Sequence, residues 1–173
     1  EPPAPADEQL SEAARAGDLD LAQRLVANGA DIDAADSTGR NPYLIVTASG
    51  DMEFLQWLLD EGAAPLATDD QGGTGLIHAA DAGNVDVVRL LLTTAERDSI
   101  DRINSYGWTA LLEAILLGDG SADYTRIVTM LLDAGADPNI ADSGGISPLQ
   151  HAQDRGYPAI ADALIAAGAS IQN

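Results

Sequence analysis

The chain has no cysteine among its 173 residues, and so no disulfide, no thiolate metal site and no thiol nucleophile; its redox compartment is left open. It contains no run of about 18 apolar residues, so no stretch reads as a membrane-spanning helix. Aromatic residues make up only 4%, which excludes a core centred on large rings. Lysine is absent, and 8 arginines stand against 28 acidic residues for a formal charge of -20. A field of that sign repels phosphate, which argues against nucleic acid and anionic membrane surfaces as partners. It steers basic proteins instead, although the same charge equally serves solubility.

What is present is small, apolar and ordered. Hydrophobic residues reach 46%, enough for a core, and the prevalence of Ala and Leu suits helices packed closely in layers. Residues 71–95, QGGTGLIHAADAGNVDVVRLLLTTA, hold a Gly-rich turn, a short helix from Thr74, a Gly83-Asn84 break and a second helix carrying Val87, Val88, Leu90, Leu91 and Leu92. Helices shorter than about 12 residues are marginal alone in water, so each must lean on a neighbour. The same unit recurs with starts at Glu8, Asn41, Thr74, Thr109 and Ser147, spaced by 33, 33, 35 and 38 residues. The starts read EQLSEA, NPYLIV, TGLIHA, TALLEA and SPLQHA. Second halves such as AGDLDLAQRLVANGADID, SGDMEFLQWLLDEGAAPL and TRIVTMLLDAGADPN match one another more closely still.

This pattern resembles the ankyrin repeat, whose signature is Thr-Pro-Leu-His-x-Ala at a period near 33. The resemblance runs from Asp7 to Ile171 and implies an all-α solenoid of stacked helix-turn-helix units with short β-turn fingers. Five repeats fall at about 7–36, 37–69, 70–104, 105–142 and 143–173, as one domain after a leader, residues 1–6. The leader, EPPAPA, lacks Met and reads as extended or disordered chain following a removed signal peptide or lipoprotein stem, or as an artificial boundary. The expectation is a bacterial exported protein, periplasmic or secreted, with the cytoplasm as the alternative. The signature His is missing from every copy, its place taken by Ser11, Leu44, Ile77, Leu112 and Gln150, and apolar packing at three of these substitutes for it.

Local signals mark the element ends. Asp7 is placed as the first N-cap. Gly29, Gly62, Gly135 and Gly168 close second helices where a left-handed residue is needed. Turns at 36–40, 69–73, 104–108 and 142–146 each open with Asp or Asn and carry Gly three residues on. Two places break the period: TTAERD (93–98) replaces a Gly cap, and DGSAD (119–123) is inserted between two helices. Tyr43, Phe54 and Trp57 align with Leu or Val of other copies and are assigned to the core. Ala159, Ala161 and Ala166 are read as outward-facing on the last repeat, the place where an otherwise monomeric chain would self-associate.

Several constellations invite chemistry and fail on composition or spacing. His78, Glu113 and His151 occupy one repeat position, but neighbouring helices stand about 8–10 Å apart, too far for a shared ion. Ser147, His151 and Asp154 share a helix face without an oxyanion hole. Asp119, Ser121 and Asp123 match oxygen positions 1, 3 and 5 of a calcium loop, but Tyr124 and Met130 stand where its Gly and Glu belong. No catalytic residue, metal or cofactor is assigned. A metal-dependent sensor or enzyme is the remote alternative.

The resemblance instead implies protein recognition on the concave face, by fingers and inner helices. The partner-binding set is Arg40, Asp70, Gln71, Asp81, Tyr106, Trp108, Leu116, Ile146 and Arg155. Tyr106 and Trp108 stand on one finger as apolar anchors, unless Trp108 folds back onto the helix of Leu111. Asp70 and Asp81 select a basic partner. A narrower reading of the same surface is an exported inhibitor or immunity-type protein that blocks a basic toxin or enzyme.

Overall fold

The computed structural model describes residues 6–170. Ten short α-helices form five successive hairpins: α1 (Ala6–Ala16) with α2 (Leu19–Ala27), α3 (Pro42–Ser49) with α4 (Met52–Asp60), α5 (Gly75–Asp81) with α6 (Val85–Leu91), α7 (Ala110–Leu116) with α8 (Ala122–Asp133), and α9 (Pro148–Asp154) with α10 (Pro158–Ala166). Helices α1, α3, α5, α7 and α9 pack side by side in one row, while α6, α8 and α10 pack in another. No strand occurs among the described residues.

Each start from the second repeat onward is a capped helix. The side-chain oxygens of Asn41, Thr74, Thr109 and Ser147 accept the N–H three residues on at 3.0, 3.2, 3.2 and 3.2 Å. Pro42 and Pro148 follow their caps in the first turn, where a missing N–H costs nothing. The first helices are then almost entirely enclosed: residues 42–47, 75–80 and 110–115 are all buried. Small side chains such as Ala79, Ala80, Ala110 and Ala114 let these helices approach closely. The second helices bury one stripe, Phe54, Leu55 and Leu58 in α4, and turn charge outward. Tyr43 and Phe54 are wholly buried and Trp57 half-buried, its ring edge-on to Phe54 at 5.6 Å. Leu44, Ile77 and Leu112 are buried in place of the signature His, whereas Gln150 is exposed and bonds Asp154.

The structure departs from expectation at four points. Ala6, placed in the leader, belongs to α1, while the rest of the leader, residues 1–5, lies outside the described residues. Asp7 therefore sits inside the first turn, and its carboxylate accepts the N–H of Asp31 at 2.8 Å instead of capping α1. The insertion at 119–123 does not fall wholly between helices, because Ala122 and Asp123 lengthen α8 to 12 residues. Ala161 is buried, so among the three alanines of the last repeat only Ala159 and Ala166 face outward.

The other break is the more consequential. After α6 the chain turns through a 3₁₀ helix, Ala95–Ser99, which drives the carboxylate of Glu96 into the core. There Oε1 accepts from Tyr43 Oη at 2.9 Å and from the Gly75 N–H at 3.0 Å, while Oε2 accepts the Leu76 N–H at 3.3 Å. Glu96 thus satisfies two orphan donors at the start of α5. Gly75, at the signature's Pro position, makes room: a Cβ there would lie 2.7 Å from Glu96 Oε1.

Candidate functional site

The four fingers share one construction. In 36–40, 69–73, 104–108 and 142–146 the first N–H bonds the last carbonyl at 2.9, 3.1, 3.0 and 3.0 Å. The Oδ1 of the same first residue accepts two further N–H groups; for Asn104 these are Tyr106 and Trp108, at 3.0 and 3.1 Å. The fourth residue, as at Gly107 with φ 83°, takes a left-handed conformation that favours glycine. Adjacent fingers are tied together by Ser105, whose N–H and Oγ donate to the Gln71 carbonyl and Oε1 at 2.8 and 2.7 Å.

In the last three fingers the other side-chain atom of the first residue reaches the inner helix nine residues on. Asp69 Oδ2 meets His78 Nε2 at 2.9 Å, Asn104 Nδ2 donates to Glu113 Oε1 at 2.6 Å, and Asp142 Oδ2 meets His151 Nε2 at 2.7 Å. In the second repeat that inner position is Ile45, and Asp36 pairs with Arg15 instead. These links join finger to helix in every repeat after the second. Sequence reading placed His78, Glu113 and His151 at one position but missed their partners; the constant Asp/Asn nine residues earlier was the available signal. Arg40 Nε also approaches Asp69, at 3.5 Å.

Between the second and third of these fingers and helices α5 and α7 lies a cavity of about 380 Å³. Tyr106 and Trp108 form one wall, their ring centroids 5.5 Å apart and planes tilted by 32°. Tyr106 is 57% exposed and Trp108 half-buried, so the pair presents apolar surface to the groove. Arg40, Gln71 and Asp81 line the same cavity, which thereby gathers five of the nine expected partner-binding residues. Asp70 lines an adjoining hollow with Arg15, Thr38 and Arg40. Leu116 is half-buried, and Leu117, 52% exposed, supplies the apolar contact at that end. Ile146 borders a separate depression near Ser170, and Arg155 is exposed at the end of α9, apart from these hollows.

Electrostatics differ along the cavity. Burial, aided by the neighbouring Arg40 and opposed by Asp69, holds His78 below the usual imidazole range. Burial would raise Asp69, but the N–H of Gly73 and the His78 contact outweigh it and hold that carboxyl low. Glu113 moves the other way: burial pushes it up to about 7, against the Asn104 hydrogen bond and with the help of the Asp81 charge. Its Oε2 is buried without a hydrogen-bond partner.

Among the described residues no three His, Cys, Asp or Glu converge as a metal would require. Ser147 caps α9, His151 is held by Asp142, and Asp154 accepts from Gln150 Nε2 at 2.7 Å, so these three side chains are engaged separately.

A family model described as ankyrin repeats (3 copies) matches residues 10–101 and 46–142. The chain is 40% identical over 147 residues to the ankyrin repeat protein YahD of Escherichia coli (strain K12), covering 85% of this chain and 73% of that protein. It is 33% identical over 98 residues, 57% of its length, to the ankyrin repeat, SAM and basic leucine zipper domain-containing protein 1 of Dasypus novemcinctus, of which it spans only 20%. Among solved structures, an ankyrin repeat domain from Acinetobacter baumannii AYE superposes with a TM-score of 0.87 at 45% identity, covering 93% of this chain and 81% of that one.

Proposed function

The chain belongs to the ankyrin repeat family, and on that premise we propose that its fingers and inner helices bind a basic protein in the groove walled by Tyr106 and Trp108. Ankyrin repeats in general serve protein–protein interaction and not catalysis, and the groove has the chemistry for it. The observation that carries the reading is the aromatic pair, which stands half-exposed on a finger already fixed by bonds to Asn104 and, through Ser105, to Gln71. A surface ordered before binding loses little conformational entropy when a partner arrives, and exposed Trp and Tyr are the residues on which interface energy concentrates. The net charge of -20 adds long-range attraction for a basic surface and predicts association that slows with salt.

Affinity capture with the wild-type chain, Trp108→Ala and Tyr106→Ala tests the reading. The expected result is a basic protein retained by wild type and lost, by at least about tenfold in affinity, from Trp108→Ala. If both variants keep every partner, the finger is not the docking site.

A further inference from the structure

The cavity beside Trp108 contains a carboxylate that the fold leaves unfinished. Glu113 is 5% exposed, lines the cavity, and uses Oε1 for Asn104 while Oε2 has no hydrogen-bond partner. A buried acceptor left unmatched costs on the order of 1–3 kcal/mol, more when charged. The finger-to-helix link uses only Oε1, and the same position is filled by His78 and His151 in the repeats on either side. His78, which lines the same cavity, has its Nε2 engaged by Asp69. Asp81, Tyr106 and Trp108 line the same cavity.

Resting on the reading above, we infer that this cavity is the seat of one arginine side chain of the partner, its guanidinium donating to Glu113 Oε2 and Asp81 while its face lies on Trp108 and Tyr106. The chemistry selects that group. A planar fork can give one N–H to each of two carboxylates and still stack on an aromatic ring, which a compact, strongly hydrated ammonium does less well. Three acidic side chains, Asp69, Asp81 and Glu113, stand against the single guanidinium of Arg40, which is itself turned to Asp69, so the lining favours a cation. Oε2 is itself buried, so it meets the guanidinium through a rotation of the Glu113 carboxyl toward the cavity, whose volume of about 380 Å³ admits the head of one such side chain.

The probe is N-acetyl-arginine amide, titrated into the full chain while the indole N–H resonance of Trp108 is followed by NMR; a Trp108→Phe spectrum separates it from that of Trp57. N-acetyl-citrulline amide, the uncharged isostere, is the control. The arginine amide is expected to shift the Trp108 resonance saturably and the citrulline amide not to. Glu113→Gln, which keeps shape and removes charge, is expected to raise the midpoint about tenfold, and the surface change Asp81→Asn to raise it less. Equal shifts with citrulline, no shift with arginine, or a midpoint indifferent to Glu113→Gln would overturn the inference. The two levels separate cleanly. If Trp108→Ala still loses its protein partner but the arginine amide leaves the indole unmoved, the guanidinium site is wrong and the docking face stands. If the amide binds through Glu113 while both aromatic variants keep their partners, the reverse holds.

Discussion

Between the first and second hairpins, and again after the third and the fourth, a short exposed side chain reaches one backbone N–H of the next unit: Asp33 to Ala64 at 2.8 Å, Asp101 to Asp137 at 3.0 Å and Asn139 to Ser170 at 2.7 Å. Between the second and third hairpins the corresponding residue is Leu66, 48% exposed, and in its place buried Glu96 joins Tyr43 to the start of α5, beside the bonds of Asn84 to the Thr47 and Ala48 carbonyls. The two joints solve one geometric problem at different cost. An exposed bond exchanges with water and contributes little, so its residue can vary. A buried carboxylate and its buried donors are penalised when any one of them is lost, so Glu96, Tyr43 and Gly75 form a set that has to change together.

Glu96→Ala tests that difference with the largest effect. It strands the Tyr43 hydroxyl and two N–H groups, and should cost about 3 kcal/mol, seen as a fall of roughly 10 °C in Tm. A loss near that of an exposed joint would mean that water replaces the carboxylate without penalty. Next comes Glu113→Gln, whose effect depends on pH. The folded value of Glu113 is pushed up to about 7 by burial. The folded chain therefore holds this proton more tightly than the unfolded one, and the stability it contributes is fully present at acid pH and declines as pH rises to about 7. Glu96 is raised in the same direction by the same cause. Thermal melts should place Glu113→Gln above wild type at pH 8, with the gap closing towards pH 4; a gap that widens in acid would reverse the assignment. The smallest effect belongs to Asn139→Ala, where loss of two exposed bonds, from the Ser170 N–H and to the Gly168 carbonyl, should cost about 0.5 kcal/mol.

The same contrast explains what could be read from the chain alone. The helix starts at Asn41, Thr74, Thr109 and Ser147 and the four fingers were legible because each is decided by a few neighbouring residues: a cap three positions before its N–H, an Asp or Asn three positions before a Gly. Glu96 was not, because its partners lie 20, 21 and 53 residues away, and only its intrusion into the period marked the place. The insertion near 120 was located correctly but misassigned at its end, since Ala122 and Asp123 suit a helix start as well as a loop. At the site, the aromatic pair and its finger were visible, but the open question over Trp108 was one of packing: its ring lies beside Tyr106, half-buried over the cavity. Leu117, not its neighbour Leu116, reaches that cavity because α7 ends at Leu116 and the chain turns outward there.

Hydrogen exchange of the chain, free and saturated with its captured partner, bears most directly on the proposed docking face. Binding in the groove should slow the amides of residues 69–73 and 104–108 and leave those of α6 and α8, on the opposite row, unchanged. Protection that appears on α6 and α8 while the fingers exchange as before would place the partner on the other side of the stack and contradict the account.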